Sequence, residues 1–285
     1  MSLVAVDALG RRVELPGPAR RVVSLVPSET HSVARLAGLD RLVGRTRYCV
    51  EPEGIEAVPV IGGTKDVDIE AVRALEPDLI LANQEENARK GVQALIDAGL
   101  PVHVSFPKTV GDAVSYLVTL AALLGGGVHV VERVRAAYER FARREVEARA
   151  RVFVPIWNDP WMTFDGNAFA SDVLELAGGE NVFADRPRRY PLAADLGLRA
   201  PLDPARTQGR DTRYPRIRLE EVLARRPDLV LLPDEPHAFD ATDAQTLVRA
   251  GLPEGRIRFI SGKHLFWYGA WLEEGLPALA ELLKA

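Results

Sequence analysis

The sequence lacks several features that would point to particular classes of protein. Its 285 residues include a single cysteine, Cys49, which excludes an intramolecular disulfide and a cysteine-based metal cluster. No apolar run approaches the roughly 18–20 residues with which a helix crosses a bilayer. The formal net charge of −4 argues against a general nucleic-acid or anionic-membrane binder. What remains is an ordinary globular composition, with 47 % hydrophobic residues and enough chain for one or two domains.

The sequence also lacks the pattern of a signal peptide. The first residues, Met1 to Asp7, contain neither a basic stretch nor an apolar one. Two expectations follow for localisation. Either the protein is periplasmic or otherwise extracytoplasmic and the sequence starts at the mature end, or the protein is cytoplasmic.

Signals for catalysis and for metal ligation are sparse. The five histidines show no His-x-His or His-Glu-x-x-His spacing, and Gly-x-Ser-x-Gly is absent. Gly62–Asp66 lacks the spacing of a phosphate loop. Asp66 and Asp68 could form an acid/base pair, but two acidic residues beside a helix start more often cap it. We therefore predict no catalytic residue, no metal site and no cofactor.

One phrase occurs twice in the sequence. Glu70–Leu81 and Glu220–Leu231 share a glutamate, a Pro-Asp pair and an apolar run in the same register. Each copy predicts a short amphipathic helix that ends before the proline, followed by a buried strand. A repeat separated by 150 positions is too long for a solenoid and favours two α/β lobes of similar build.

The order of predicted elements gives a domain organisation. Strands alternate with helices in both halves, which predicts mainly parallel sheets covered on both faces. Ser28 is the expected N-cap of the first long helix, and Pro59–Gly62 is among the predicted strands. The expected domains are an N-terminal hairpin at 1–19, an α/β lobe at 20–127, a bridging helix at 128–150 about 30 Å long, and a second α/β lobe at 151–285.

An irregular stretch at 191–216 interrupts the second lobe. The phrase Arg186–Pro191 returns as Arg210–Pro215, as if a local duplication had inserted a loop. Loops of this length are commonly functional or mobile, and the sequence does not decide between the two.

Several motifs together resemble a known family. Arg21–Ser28, Val60–Lys65, the doubled Glu…Pro-Asp-Leu phrase and Leu174–Phe183 are similar to the helical-backbone substrate-binding proteins of ABC importers, the class III periplasmic binding proteins. These carry vitamin B12, haem and ferric siderophores. The resemblance implies two Rossmann-like lobes joined by a single long backbone helix, with a metal chelate bound in the cleft between them. It also implies an ABC permease with its ATPase as partners of a monomeric receptor.

Aromatic residues are the candidates for binding such a ligand, since flat rings stack well on a chelate. Trp157 and Trp161 follow the carboxyl end of a predicted strand, where loops carry function. Trp267 and Tyr268 precede the final helix. Core packing is the alternative for each of these side chains.

The resemblance adds further candidates. Tyr48 matches the position of a stacking tyrosine in B12-binding members, and Arg47 beside it could also face the ligand. Thr64 and Asn83 stand where B12 binders place tryptophans, a departure that weakens B12 specifically. Glu70 and Glu220 match the two glutamates with which the family docks on its permease.

The sequence thus predicts the solute-binding receptor of an ABC importer for a cobalamin-like, haem or ferric siderophore ligand. One alternative is a cytosolic chelate-binding module on the same fold. A less favoured alternative is an enzyme with a two-lobed cleft.

Overall fold

A computed structural model describes residues 2–145 and 149–284, which divide into two compact units. Unit 1 comprises Met1–Glu139 and Trp267–Glu273, and unit 2 comprises Arg140–Phe266 and Glu274–Ala285. The chain therefore passes between the units more than once.

Unit 1 begins with an antiparallel hairpin and continues as alternating strands and helices. In chain order its elements are β1 (Leu3–Val6), β2 (Arg12–Leu15), β3 (Val22–Ser24), α1 (Pro27–Ala37), β4 (Leu42–Arg45), α2 (Ile69–Ala74), β5 (Leu79–Asn83), α3 (Arg89–Asp97), β6 (Val102–Ser105), α4 (Val110–Leu124) and α5 (Val128–Ala142), of which the last three residues are assigned to unit 2. Four strands form a parallel sheet in the order β4-β3-β5-β6. Every residue of β3, β5 and β6 is buried, as expected for parallel strands covered on both faces.

Unit 2 repeats this plan with an added hairpin. Its elements in chain order are β7 (Ala150–Phe153), β8 (Trp157–Asn158), β9 (Trp161–Met162), α6 (Phe169–Ala177), β10 (Gly179–Asn181), α7 (Leu192–Asp195), α8 (Leu219–Arg225), β11 (Leu229–Pro233), α9 (Ala241–Ala250), β12 (Ile257–Ile260), α10 (Lys263–Phe266) and α11 (Leu272–Leu282). The parallel sheet runs β10-β7-β11-β12. In both units the sheet order is second strand, first, third, fourth, so the two sheets share one topology.

The doubled phrase has the same structural role in each unit. It forms α2 and β5 in unit 1, and α8 and β11 in unit 2. Asp78 accepts hydrogen bonds from the backbone amides of Arg20 and Arg21 at 2.8 and 2.9 Å, and Asp228 accepts one from the amide of Arg151 at 3.1 Å. Each aspartate thus ties the third strand of its sheet to the start of the first.

The backbone of the repeat matches as well. Glu76 and Arg226, the residues before each Pro-Asp pair, have φ angles of 43° and 50°. Among the described residues they alone combine a side chain with a positive φ. This left-handed residue reverses the chain after each short helix, before the proline.

Three predicted details differ from the structure. The helix predicted over 128–150 is α5, which ends at Ala142, and residues 146–148 lie outside the described residues. Ser28 is not an N-cap, because α1 begins at Pro27 with Val26 as its cap. Pro59–Gly62 forms isolated bridges through Val60 and Gly62 instead of a strand.

Tertiary contacts explain where α5 stops. Arg144 donates a hydrogen bond of 2.7 Å to the carbonyl of Ala177 at the end of α6, and its guanidinium lies over the ring of Phe141. No glycine or proline marks this position, so local sequence rules do not detect it.

The segment Trp267–Glu273 is grouped with unit 1, whereas the sequence prediction included it in the second lobe.

Candidate functional site

Tyr48 and Arg47 lie on the loop that follows β4 in unit 1. Tyr48 is 54 % exposed, and the guanidinium carbon of Arg47 lies 5.7 Å from the centroid of its ring. Arg47 donates two hydrogen bonds to the carboxylate of Asp66, at 3.1 and 2.8 Å. These bonds lower the pKa of Asp66 and raise that of Arg47. The structure therefore brings the two predicted residues together as an exposed aromatic ring beside a paired arginine.

Gly63 allows this arrangement. A Cβ atom at this position would lie 3.1 Å from Cε2 of Tyr48 and would overlap Nη1 of Arg47 and Oδ1 of Asp66. The Gly-Gly-Thr motif thus brings the backbone directly under the Arg47–Tyr48 pair, an approach that only glycine permits. Of the predicted acid/base pair, Asp66 pairs with Arg47, and Asp68 caps α2 by accepting from the amide of Ala71.

Asn83 proves to be a structural residue. Its amide nitrogen donates to Ser105 Oγ and to the Tyr268 hydroxyl, both at 3.1 Å, and its side-chain oxygen accepts from the amides of Glu85 and Glu86. The side chain is buried at the end of β5. A tryptophan at this position would displace that network.

The structure places Trp267 and Tyr268, two of the predicted ligand-binding residues, in buried positions, and their role in binding stays a prediction. They are only 5 % and 4 % exposed, so neither ring presents a surface to a ligand. Trp267 packs near His31 of α1 and against Trp271, with ring centroids 6.0 and 5.4 Å away. Both side chains thus make the contacts that the alternative of core packing predicts.

In unit 2, Trp157 and Trp161 lie on the two strands of the β8–β9 hairpin. Trp157 is 45 % exposed, and its indole nitrogen donates to the carbonyl of Asp159 at 3.2 Å. Trp161 packs instead against the hydrophobic core, stacked on Phe239 with centroids 5.9 Å apart and rings 12° from parallel. Of the two tryptophans, Trp157 thus has the solvent-exposed ring, and Trp161 packs the hairpin against the core of unit 2.

Three residues next to the β8–β9 hairpin were not predicted from the sequence: His237, Phe239 and Asp243. His237 lies 5.1 Å from Trp157 and 4.6 Å from Phe239, measured between ring centroids. Asp243, at the start of α9, accepts a 2.7 Å hydrogen bond from Asn158 and lies 3.6 Å from His237 Nε2. A usable signal existed, since His237 and Phe239 follow the carboxyl end of β11, where ligand-binding loops gather in parallel sheets.

Glu70 and Glu220 occupy equivalent positions in the two units. Each is the second residue of its helix, in α2 and α8 respectively, and both side chains are exposed. Each lies near a neighbouring arginine, Arg73 at 3.5 Å and Arg218 at 3.8 Å. Their role in docking stays a prediction.

An open cavity of about 310 Å³ lies beside Glu220 and is partly lined by the insertion.

The two copies of the Arg-x-x-Arg-Tyr-Pro phrase, at the start and at the end of the insertion at 191–216, contact each other. Arg188 donates its backbone amide to the carbonyl of Thr212 at 2.7 Å, and the Tyr190 hydroxyl donates to the carbonyl of Asp211 at 2.7 Å. The two copies therefore lie side by side.

A buried ion pair fixes the base of the insertion. Asp195 accepts hydrogen bonds from the Arg186 guanidinium at 2.9 Å and from the amides of Arg189 and Arg216 at 2.9 and 2.7 Å. Arg186 also donates to Glu221 of α8 at 2.9 Å. These contacts thus connect the insertion to α8 and to the segment before it.

Neither a membrane helix nor a metal centre is found in the part of the chain that the structure describes. Across residues 2–145 and 149–284, every helix is too short or too polar to cross a bilayer. Within the same ranges, the His, Cys, Asp and Glu side chains form no group of three or more that could hold a metal ion.

Comparison with known proteins agrees with this architecture. The chain is 28 % identical over 243 residues to a vitamin B12-binding protein of Yersinia pestis (strain Pestoides F), an alignment that covers 82 % of this chain and 77 % of the relative. Similar solved structures include the periplasmic vitamin B12 binding protein BtuF of Vibrio cholerae, with a TM-score of 0.69, 21 % identity and coverage of 94 % and 98 %. The periplasmic heme-binding protein RhuT of Roseiflexus sp. RS-1 gives a TM-score of 0.71, with 18 % identity and coverage of 93 % and 98 %.

These structural matches confirm the predicted α/β fold of class III. The family model described as periplasmic binding protein matches residues 22–249, a span that includes both copies of the doubled phrase and the hairpin with Trp157. With two α/β units of one topology, the chain belongs to the periplasmic binding protein family.

Proposed function

We propose that the protein is the solute receptor of an ABC importer and captures a metal chelate without covalent chemistry. The observation that carries this proposal is the open indole ring of Trp157, held on the β8–β9 hairpin next to His237. Leaving a large flat ring in water forgoes the free energy of burying it, and stacking on a macrocycle recovers that energy. The B12- and haem-binding proteins among the relatives support this class of ligand.

Unit 1 carries a second exposed group of the same character. Tyr48 offers an aromatic face and Arg47 a positive charge, both positioned over Gly63. Aromatic and cationic groups together suit a ligand with an apolar ring and a polar fringe. We propose that both groups bind the chelate, while its location in a cleft between lobes stays a prediction.

Delivery to the permease would use Glu70 and Glu220. Both carboxylates are exposed at helix starts that the doubled phrase creates, and arginines of a permease are their expected partners. Members of this family are extracytoplasmic binding proteins, and they work with ABC permeases and their ATPases. We propose the same partners and an extracytoplasmic location for this receptor.

A titration tests the proposal directly. The purified protein is titrated with cyanocobalamin, haemin and ferric siderophores while tryptophan fluorescence and the visible spectrum are recorded. Saturable quenching by one of them at submicromolar concentration is the expected result. Failure of every chelate to bind folded protein would contradict the proposed function.

A further inference from the structure

Three arginines in and beside the insertion lack the ion pairs that neighbouring arginines form. Arg186 pairs with Asp195, and Arg213 pairs with Asp211. Among the residues that the structure describes, Arg188, Arg210 and Arg216 form no ion pair with a carboxylate. The Nε atom of Arg188 is buried and has no hydrogen-bond partner among those residues. These three guanidinium groups therefore lack a carboxylate within ion-pair distance, although the charges of Asp195 and Asp211 act on Arg216 and Arg188 from farther away.

These arginines converge on one ring. The guanidinium carbon of Arg188 lies 4.5 Å from the centroid of Tyr190, and that of Arg210 lies 5.0 Å from it. Such cation–π contacts hold both groups in place without neutralising them. The hydrogen bond from the Tyr190 hydroxyl to Asp211 fixes the ring.

Arg216 belongs to the same cluster. Burial, and then the charge of Arg188, lower the pKa of Arg216. Guanidinium groups close enough to affect each other repel, and an anion between them would replace that repulsion with attraction. The arrangement is held by the Arg186–Asp195 pair at its base, so the arginines do not need to be ordered at the moment of binding.

The cluster lies beside the open tryptophan of unit 2. Trp157 pairs with Met162 across the hairpin, and Met162 pairs with Arg216 in an antiparallel bridge. Directly paired residues of antiparallel strands point to the same face, so the three side chains form one row. Two strand spacings place Arg216 about 10 Å from Trp157 along that row. A ring stacked on Trp157 can therefore carry a peripheral group to the arginines.

We infer that Arg188, Arg210 and Arg216 form, around Tyr190, a binding site for a carboxylate or phosphate group, and that the captured chelate carries this group. The inference rests on the proposed function and narrows it, since an acid-bearing chelate is favoured over a neutral one such as ferrichrome. Guanidinium groups bind carboxylate and phosphate through paired, charge-assisted hydrogen bonds, which gives both affinity and orientation. The insertion at 191–216 thus gains a role in ligand selection.

Two pairs of probes test this inference on the full chain. Haemin, with two free carboxylates, is compared with its dimethyl ester, and cyanocobalamin, with a phosphodiester, is compared with dicyanocobinamide, which lacks it. In whichever pair binds to the wild-type protein, the compound with the acid group should bind about 10- to 100-fold more tightly than the compound without it. The double variant Arg188→Gln/Arg210→Gln should lose that preference. Arg199→Gln, which removes an exposed charge from the same insertion, is the matched control and should keep it.

Inorganic phosphate at constant ionic strength separates a free anion from an acid group of the chelate. If phosphate binds and the double variant abolishes its binding while no chelate binds, the anion site stands and the proposed function fails. If chelates bind and the double variant keeps the wild-type preference, or ferrichrome alone binds, the inference is overturned and the receptor function stands. If neither phosphate nor any chelate binds to folded wild-type protein, both are overturned. Circular dichroism and thermal unfolding of each variant confirm that it is folded.

Discussion

The hydroxyl of Tyr268 donates a hydrogen bond of 2.9 Å to Oε1 of Glu29, a residue 239 positions earlier in the chain. Ser105 Oγ donates to the same oxygen at 2.6 Å, and the Glu29 side chain is completely buried at the start of α1. Burial is the main cause that raises the pKa of this carboxyl to about 7, and the two hydrogen bonds offset part of that rise. The Glu29 carboxyl thus links Ser105 to the segment Trp267–Glu273, and its burial favours the protonated form.

Glu29 should make the stability of the protein depend on pH. Its pKa is about 7 in the folded chain against an ordinary value of 4.5, so the folded state holds this proton more tightly. The contribution to stability is complete below pH 4.5, declines as pH rises, and is lost above about pH 7. Relative to the variant Glu29→Gln, which cannot ionise, wild-type protein should lose about 3 kcal/mol of unfolding free energy over this range. Urea denaturation of both proteins from pH 4.5 to pH 8 measures the difference, and a constant difference would show that Glu29 does not titrate there.

Trp157→Ala should weaken chelate binding by about 1–3 kcal/mol, because a stacked indole ring is removed. Its stability should change little, since the ring is already half exposed. Phe259→Ala is the matched control: this aromatic side chain of unit 2 is 54 % exposed and lies on β12, which belongs to a different sheet from the hairpin. Equal loss of affinity in both variants, measured by fluorescence or spectral titration, would remove Trp157 from the binding site.

Gly63→Ala should weaken binding by displacing Arg47 and Tyr48 together. The added methyl group would overlap the arginine and its partner Asp66, so the pair must move away from its present position. Gly17→Ala is the control, because a Cβ at Gly17 meets no atom within 4 Å. We expect affinity for the chelate to fall toward that of Tyr48→Ala, and affinity equal to that of Gly17→Ala would argue against a role for this loop.

Reversing the charges of Glu70 and Glu220 to lysine should abolish transport and leave ligand affinity unchanged. Both side chains are exposed at the starts of α2 and α8, so the change removes docking contacts without disturbing a core. Uptake by the cognate permease in proteoliposomes, together with a binding titration, measures the two effects separately. Glu254→Lys, at another exposed position, is the control. Normal transport by the double variant would exclude these glutamates as the docking contacts.

The sequence could predict the fold because its signals are local and repeated. The doubled phrase specifies a short helix, a turn before proline and a buried strand. In each copy the aspartate, Asp78 or Asp228, accepts a backbone hydrogen bond at the start of the first strand of its sheet. Motif resemblance also identified Tyr48 and Arg47 as candidates, and the strand predicted before them placed both on a loop, where binding residues are common.

Features that depend on contacts between residues distant in the chain were decided only by the tertiary structure. Burial of Trp267 and Tyr268 follows from their packing with His31 and Glu29, which no periodicity in the final segment reveals. The end of α5 follows from the contact of Arg144 with Ala177, and the row of Trp157 and Arg216 follows from strand pairing across the insertion. The sequence by itself therefore determined the family, the two α/β units and the loops that carry candidate residues. Which of those side chains remain open to a ligand was decided only by folding, because exposure depends on long-range contacts that local patterns do not encode.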